Sequence, residues 1–468
     1  MNNSKLITIL KTFTKKELKE LELFITTPLF NKNTDVIKLL SILKKSYPLF
    51  DIGIVTHEKI SLKLYGNVDV KRVRYAMTEL TRLIEKFMAF NVFSDEDHNY
   101  LVKAYQSRGL NKYFKQEALK RNNELNIHSS IRDEDYYKSQ HDLNEISYQY
   151  TLEHDNRNID TELQGLVDNL DVFYLSKKLK YSCEIINRMN ILKVEYDINL
   201  LNNLLDYIDY NPVKEIPSVM VYYQVLKTLQ QPEAEENYYQ LKQLISQHLN
   251  RFKKDEQYDL YGYLQNYCIK QINSGNDHYL IRLFETYNEM LVKQVAIKND
   301  SIAQFDFKNI VTVALRVEEY NWTEKFINDY QKYLPVNHKS NAVNYNLARL
   351  YFYQKQYKNG LRQLLDVEFT DIYYSLDSRV LLLKTYYELD DLESAASLIN
   401  AFKIFLKRDN KISEYQNLTY SGFLKIAHQL IRFKMGQTNN IQKIEKELDA
   451  TKQIADLTWL KQKVAALQ

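Results

Sequence analysis

The chain is poor in glycine and proline. Of its 468 residues only 9 are glycine and 6 are proline, where average usages of about 7% and 5% would give roughly 33 and 23. These two residues serve tight turns, hairpins, bulges and phosphate loops. So small a supply argues against a β-sandwich, a β-barrel or a dinucleotide-binding α/β enzyme. No two glycines lie within twelve residues of each other, which excludes the GxGxxG fingerprint, the P-loop and the GxSxG nucleophile elbow, since each needs clustered glycine. Histidine is as dispersed: no two of the nine fall within twelve residues, so HExxH and paired-histidine zinc spacings do not occur. Asp95-x-x-His98 is a lone carboxylate–histidine pair, short of any di-metal helical site. Cys183 and Cys268 are the only cysteines and form no CxxC, a usage that fits a reducing cytoplasmic compartment and two buried small hydrophobes. The opening residues make no signal peptide, and no apolar run approaches the roughly 18 residues of a membrane span. The expectation is a cytoplasmic chain without membrane, metal or cofactor, and not an enzyme.

What is present is a soluble, helix-forming composition. Hydrophobic residues make up 45% and charged residues 26%, which separates the chain from disordered and membrane classes. Net charge is +3, unevenly placed. Residues 1–93 carry 16 Lys+Arg against 9 Asp+Glu, a net of +7, and the remainder carries 47 against 51. A basic head therefore precedes a nearly neutral body.

Thr14 and Glu17 have capping-box spacing, opening a helix that Pro28 ends. A second helix starts at Asn33 or Thr34, and Ile52–Val55 reads as a short extended piece. A short helix at 57–64 has its C-cap at Gly66. Asp69 then caps a long helix whose Val70, Val73, Met77, Leu80, Ile84 and Phe87 recur at spacings of three and four, the mark of an apolar stripe. Beyond Asp95-Glu96-Asp97 the pattern is helix after helix to a last segment at 441–467. Tyrosine doublets, at 222–223 and 238–239 for example, read as packing between hairpins.

Turns between paired helices fall near Gln231, Gly275, Tyr320, Lys355 and Asp390, a spacing in the range of stacked helical hairpins. Leu347-Ala348, Tyr351, Tyr357, Gly360 and Leu364 recur 35 residues later as Leu382-Leu383, Tyr386, Leu392, Ala395 and Ile399. Trp322 fits the slot of Tyr357 one unit earlier, and Pro335 closes that unit. Over about residues 302–407 this pattern resembles tetratricopeptide-type repeats, without that family's tryptophan near the unit start or its glycine beside the alanine. The opening, Phe13 to Leu18 and Pro28 to Asn33, also resembles an uncharacterised bacterial family of long all-helical proteins.

The fold expected is all-α. A basic helical head at 1–93 precedes a hairpin array at 94–300, tetratricopeptide-like repeats at 301–407 and capping helices at 408–468. The repeat resemblance implies a right-handed superhelical array, a solenoid whose first helices line a concave groove for a protein or peptide partner. By position Tyr345, Arg349, Phe352, Val380, Lys384 and Tyr387 then face the groove. Arg349 and Lys384 lie in register and suit an acidic or carboxylate ligand. The leading function is a non-enzymatic scaffold or adaptor. The alternative uses 57–89 as a helix-turn-helix outline, with Lys71, Arg72, Arg74 and Arg82 against nucleic acid and the repeats sensing a partner.

Overall fold

A computed structural model describes residues 4–50, 56–95, 99–128, 130–154, 162–192, 194–367, 372–409, 412–451 and 454–468. The proposed extended piece at Ile52–Val55 and the acidic run at Glu96-Asp97 with His98 lie outside them. Among the described residues the secondary structure is helical, with no strand and a single isolated bridge, Lys298–Ser301. No helix among them is long and apolar enough to cross a membrane. The chain divides into two compact units. One holds residues 1–128 with 139–166, and the other holds 129–138 with 167–468.

In the first unit α1 (Lys5–Leu10), α2 (Lys15–Thr26), α3 (Thr34–Lys44), α4 (His57–Tyr65) and α5 (Val70–Asp95) share one core, followed by α6 (Tyr100–Ser107) and α7 (Asn111–Asn123). Glu17 and Thr14 close the expected capping box, with the Thr14 amide donating to Glu17 Oε2 at 2.6 Å and the Glu17 amide to Thr14 Oγ1 at 3.2 Å. The α5 stripe, now Val73, Met77, Leu80, Ile84 and Phe87, is buried with Leu21, Ile25, Val36, Leu40 and Ile60. Burying each such side chain contributes about 1.5–3 kcal/mol. The α4–α5 turn follows the sequence reading. Gly66 takes φ 76° as C-cap of α4, and Asp69 Oδ1 accepts the Arg72 amide at 2.9 Å. A Cβ on Gly66 would meet nothing within 4 Å, so Gly66→Ala carries only the left-handed backbone penalty, about 1 kcal/mol. We expect hydrogen exchange of the α4 amides to quicken by about fivefold. An unchanged rate would contradict the assignment of Gly66 as a required left-handed cap.

Two long helices, α8 (Glu134–His154) and α9 (Glu162–Leu192), contribute to both units. The second unit continues through α10 (Leu201–Asp209), α11 (Pro217–Gln230), α12 (Glu235–His248), α13 (Lys254–Asn273), α14 (Tyr279–Val292), α15 (Gln304–Arg316) and α16 (Tyr320–Tyr330). It ends with α17 (Lys339–Tyr353), α18 (Tyr357–Leu365), α19 (Ile372–Glu388), α20 (Leu392–Arg408), α21 (Glu414–Lys434), α22 (Ile441–Ala450) and α23 (Leu457–Ala465). Sequence neighbours from α11 to α21 pack pairwise, and α11 also touches α13, α15 touches α17, and α17 touches α19.

Five of the turns share one backbone solution, while Gln231 between α11 and α12 keeps a negative φ of -124°. Gly275, Glu318, Lys355, Asp390 and Gly436 all take positive φ, between 60° and 96°. After each, the next amide reaches back five residues: Asn276 to Gln271 O at 3.0 Å, Glu319 to Ala314 O at 3.0 Å, Gln356 to Tyr351 O at 2.8 Å, Asp391 to Tyr386 O at 3.0 Å and Gln437 to Arg432 O at 2.9 Å. This is the Schellman closure, which satisfies the last helical carbonyls. Gly360 answers a different need, because a Cβ there would lie 3.3 Å from Ala348 O, where α17 and α18 approach closely.

The single helix expected over 441–467 is two. Asp456 takes φ 53° ahead of α23, and the Ala455 amide donates to Thr419 O at 3.2 Å. The apolar spacing is continuous enough to read as one helix, but α22 ends at Ala450, where Thr451 turns extended, and α23 starts again after Asp456.

Candidate functional site

The alternate helices α15, α17 and α19 lie side by side in the second unit, and their side chains build a charged seam. Lys308 of α15 pairs with Asp377 of α19, whose other oxygen accepts the Tyr420 hydroxyl at 2.7 Å. The Lys308 ammonium lies 5.7 Å and 5.6 Å above the Tyr345 and Tyr374 rings. Arg349 of α17 donates to Thr312 Oγ1, and its guanidinium stands 5.8 Å over Tyr345. Lys384 of α19 is buried. Its ammonium is 2.7 Å from Asp456 Oδ2, 4.6 Å above Phe352 and 5.6 Å above Trp459. Burial pulls the Lys384 pKa below the usual lysine range, with Asp456 opposing.

Of the six groove residues read from sequence, Tyr345, Arg349, Phe352 and Lys384 therefore meet on this seam. Val380 and Tyr387 are buried in an apolar cluster with Phe402, Phe423 and Trp459. Tyr345 is also buried, and Arg349 and Phe352 are half-buried. Sequence reasoning missed Lys308, Asp377, Tyr420, Asp456 and Trp459. Asp456 stands 72 residues from Lys384 and carries no local signal of that pairing.

A second stretch lies on α9, α11 and α13. A pocket of about 370 Å³ is lined by Asn187, Asn190, Thr228, Asn266, Lys270 and Asn273, with Val225, Leu229 and Ile269 as apolar wall. The Asn266 amide donates to Asn187 Oδ1 at 3.3 Å. Asn190, Lys270 and Asn273 are exposed. Carboxamides offer donor and acceptor together, so this lining can match the alternating N–H and C=O of an extended chain.

Titratable groups also gather in the core of the second unit. Lys180 Nζ lies 2.9 Å from both Glu134 Oε1 and Glu256 Oε1. Lys177 reaches Glu134 at 3.0 Å, and the Tyr222 hydroxyl donates to Glu256 at 2.6 Å. Burial opposes the Glu134 charge, but the hydrogen bond and charge of Lys180, with Lys177, outweigh it and hold that carboxyl below its usual range. Burial and the neighbouring Glu134 charge push Glu256 up, against Tyr222 and Lys180. Opposed shifts can signal acid–base chemistry, yet both carboxylates and Tyr222 are buried. The network ties residue 134 to α9 and α13, helped by the Arg132 amide donating to Arg251 O at 2.8 Å. Both thiols are free and buried, and burial pushes Cys268 up to about 11.

In the first unit the four basic candidates share α5 but not the same state. Arg72 pairs with Asp35 at 2.9 Å and covers the Tyr65 ring at 3.9 Å. Arg82 pairs with Glu79 at 2.9 Å. Lys71 and Arg74 are exposed and make no ion pair among the described residues. Tyr75, 65% exposed, lies beside them, and Thr78 continues that face. α3 packs on both α4 and α5. Among the described residues no group of three or more His, Cys, Asp or Glu side chains could hold a metal ion. In comparisons with known proteins, no family model, no curated protein and no solved structure matches this chain.

Proposed function

We propose that the chain is a non-enzymatic, cytoplasmic adaptor whose second unit is a tetratricopeptide-like right-handed hairpin array holding a protein segment on its first-helix face. The observation that carries this reading is the pocket on α9, α11 and α13, where four asparagines and Lys270 stand around an apolar wall. Its chemistry suits a polypeptide backbone more than a reacting small molecule: several carboxamides, one cation and an apolar wall. Arg349 on α17 and Lys384 on α19 already hold a hydroxyl and a carboxylate of this chain, Thr312 and Asp456, the oxygen chemistry that a partner segment there has to match. The buried free thiols support a reducing setting.

The experiment is site-specific photo-crosslinking in the native cell. A photoreactive residue at Ile269, 40% exposed on the pocket wall, is expected to yield a protein adduct. The same residue at Ile281, 56% exposed on α14, is expected to yield none. Lys270→Glu should remove the Ile269 adduct. No adduct at Ile269 in a folded protein overturns the reading.

A second reading rests on Lys71, Arg74 and Tyr75, which stand open on one face at the start of α5. That is where a recognition helix presents base and phosphate contacts. Under the adaptor reading, the protein shows no salt-sensitive binding to DNA or RNA between about 50 and 200 mM salt. Under the second, binding falls steeply over that range, and Lys71→Glu with Arg74→Glu lowers the salt slope by about 2.

A further inference from the structure

The C-terminal helix is held in a way its own sequence does not require. Asp456 is the N-cap of α23, where an aspartate ordinarily accepts an amide hydrogen of the first turn. Here it makes no capping bond and sits at φ 53°, a left-handed conformation that costs about 1 kcal/mol. Its carboxylate goes instead to buried Lys384. Three residues on, Trp459 is buried with its ring 5.3 Å from Tyr387 and 6.2 Å from Phe423. Its indole N–H donates to Glu388 Oε1 at 2.8 Å, and Lys463 reaches the same oxygen at 2.6 Å. Beyond these, only Leu460 and Val464 of α23 are buried. A helix of 9 residues has little stability of its own, so docking is what orders it.

We propose that the surface around Lys384, Glu388, Phe352 and Tyr387 is a docking slot for a helix start carrying an acidic residue three positions before a tryptophan. Residues 454–468 are its resident intramolecular ligand. A partner segment with the same acid–x–x–indole spacing, followed by a cation four residues after the indole, takes the slot by displacing them. Complementarity fixes this chemistry. The buried ammonium demands a carboxylate, the aromatic walls demand a flat apolar group, and Glu388 takes an N–H and a cation together. The proposal rests on the adaptor reading and names one of its ligands. Its test is separate, because the Ile269 crosslink reports the pocket on α9, α11 and α13.

The test uses the full chain and a labelled peptide of residues 454–468 as probe. Trp459→Ala and, separately, Asp456→Lys in the protein are expected to abolish hydrogen-exchange protection of α23 while α11–α17 stay protected. Each variant should then bind the labelled peptide at least tenfold more tightly than the unaltered protein does. Unlabelled peptide should compete, and peptides carrying Asp456→Lys or Trp459→Ala should not. Retained protection of α23 in both variants, or released α23 with no peptide uptake, overturns the proposal. So does loss of protection throughout the second unit in both variants, which would make α23 an inseparable part of its core.

Discussion

Lys180→Met is expected to destabilise the second unit by about 3 kcal/mol, the scale for breaking a buried ion pair while leaving its partner behind. The side chains of Glu134 and Glu256 are only 5% and 6% exposed. Without the ammonium they become two buried carboxylates, one left with Lys177 and the other with the Tyr222 hydroxyl. The chain has two tryptophans, Trp322 and Trp459, and both belong to the second unit. Tryptophan fluorescence, excited selectively over the tyrosines, therefore follows that unit alone during urea unfolding. Adding Glu256→Gln to Lys180→Met should recover more than half of the loss, because it removes the carboxylate with the weaker hold on its charge. A loss below about 0.5 kcal/mol would place the network among pairs of no energetic weight.

Glu134→Gln and Glu256→Gln should differ in sign. The Glu134 pKa is lowered in the folded protein. Its contribution is therefore present above the unfolded value of about 4.3 and is lost as pH falls through the folded value. Glu134→Gln should cost about 2 kcal/mol at pH 7, and the gap from the unaltered protein should close at acid pH. The Glu256 pKa is raised, so its contribution is present below the unfolded value and is lost as pH rises through the folded one. Glu256→Gln should be neutral or stabilising by less than about 1 kcal/mol at pH 7, since Gln still accepts the Tyr222 hydrogen bond. Urea midpoints by tryptophan fluorescence from about pH 4 to 8 check both. Equal losses at pH 7 would refute the asymmetry.

Local signals in the sequence carried far into the fold. The Thr14–Glu17 box, the Gly66 cap and the α5 stripe depend on residues within a few positions, and each forms as read. Gly275, Lys355 and Asp390 stand at turns for the same reason, and the 35-residue register brought Arg349 and Lys384 onto one seam. The partners of the charges were not legible. Arg72 looks free in sequence, but Asp35, 37 residues earlier, takes it. Lys384 looks like a groove cation, but Asp456 neutralises it across 72 residues. The last segment divides at Thr451, which turns extended after Ala450, without help from glycine or proline. Ion pairing across helices follows from packing, which periodicity alone does not specify.

The hairpin turns bear on how such a chain changes over generations. Three of the five left-handed positions hold Glu318, Lys355 and Asp390 rather than glycine, and the closure at each is made by main-chain groups. Side-chain identity at these corners is therefore only weakly constrained, by about 1 kcal/mol per position. Substitution at these five corners is expected to leave the helix spacing unchanged. At these corners main-chain geometry carries the turn, and the residue type adds little to it.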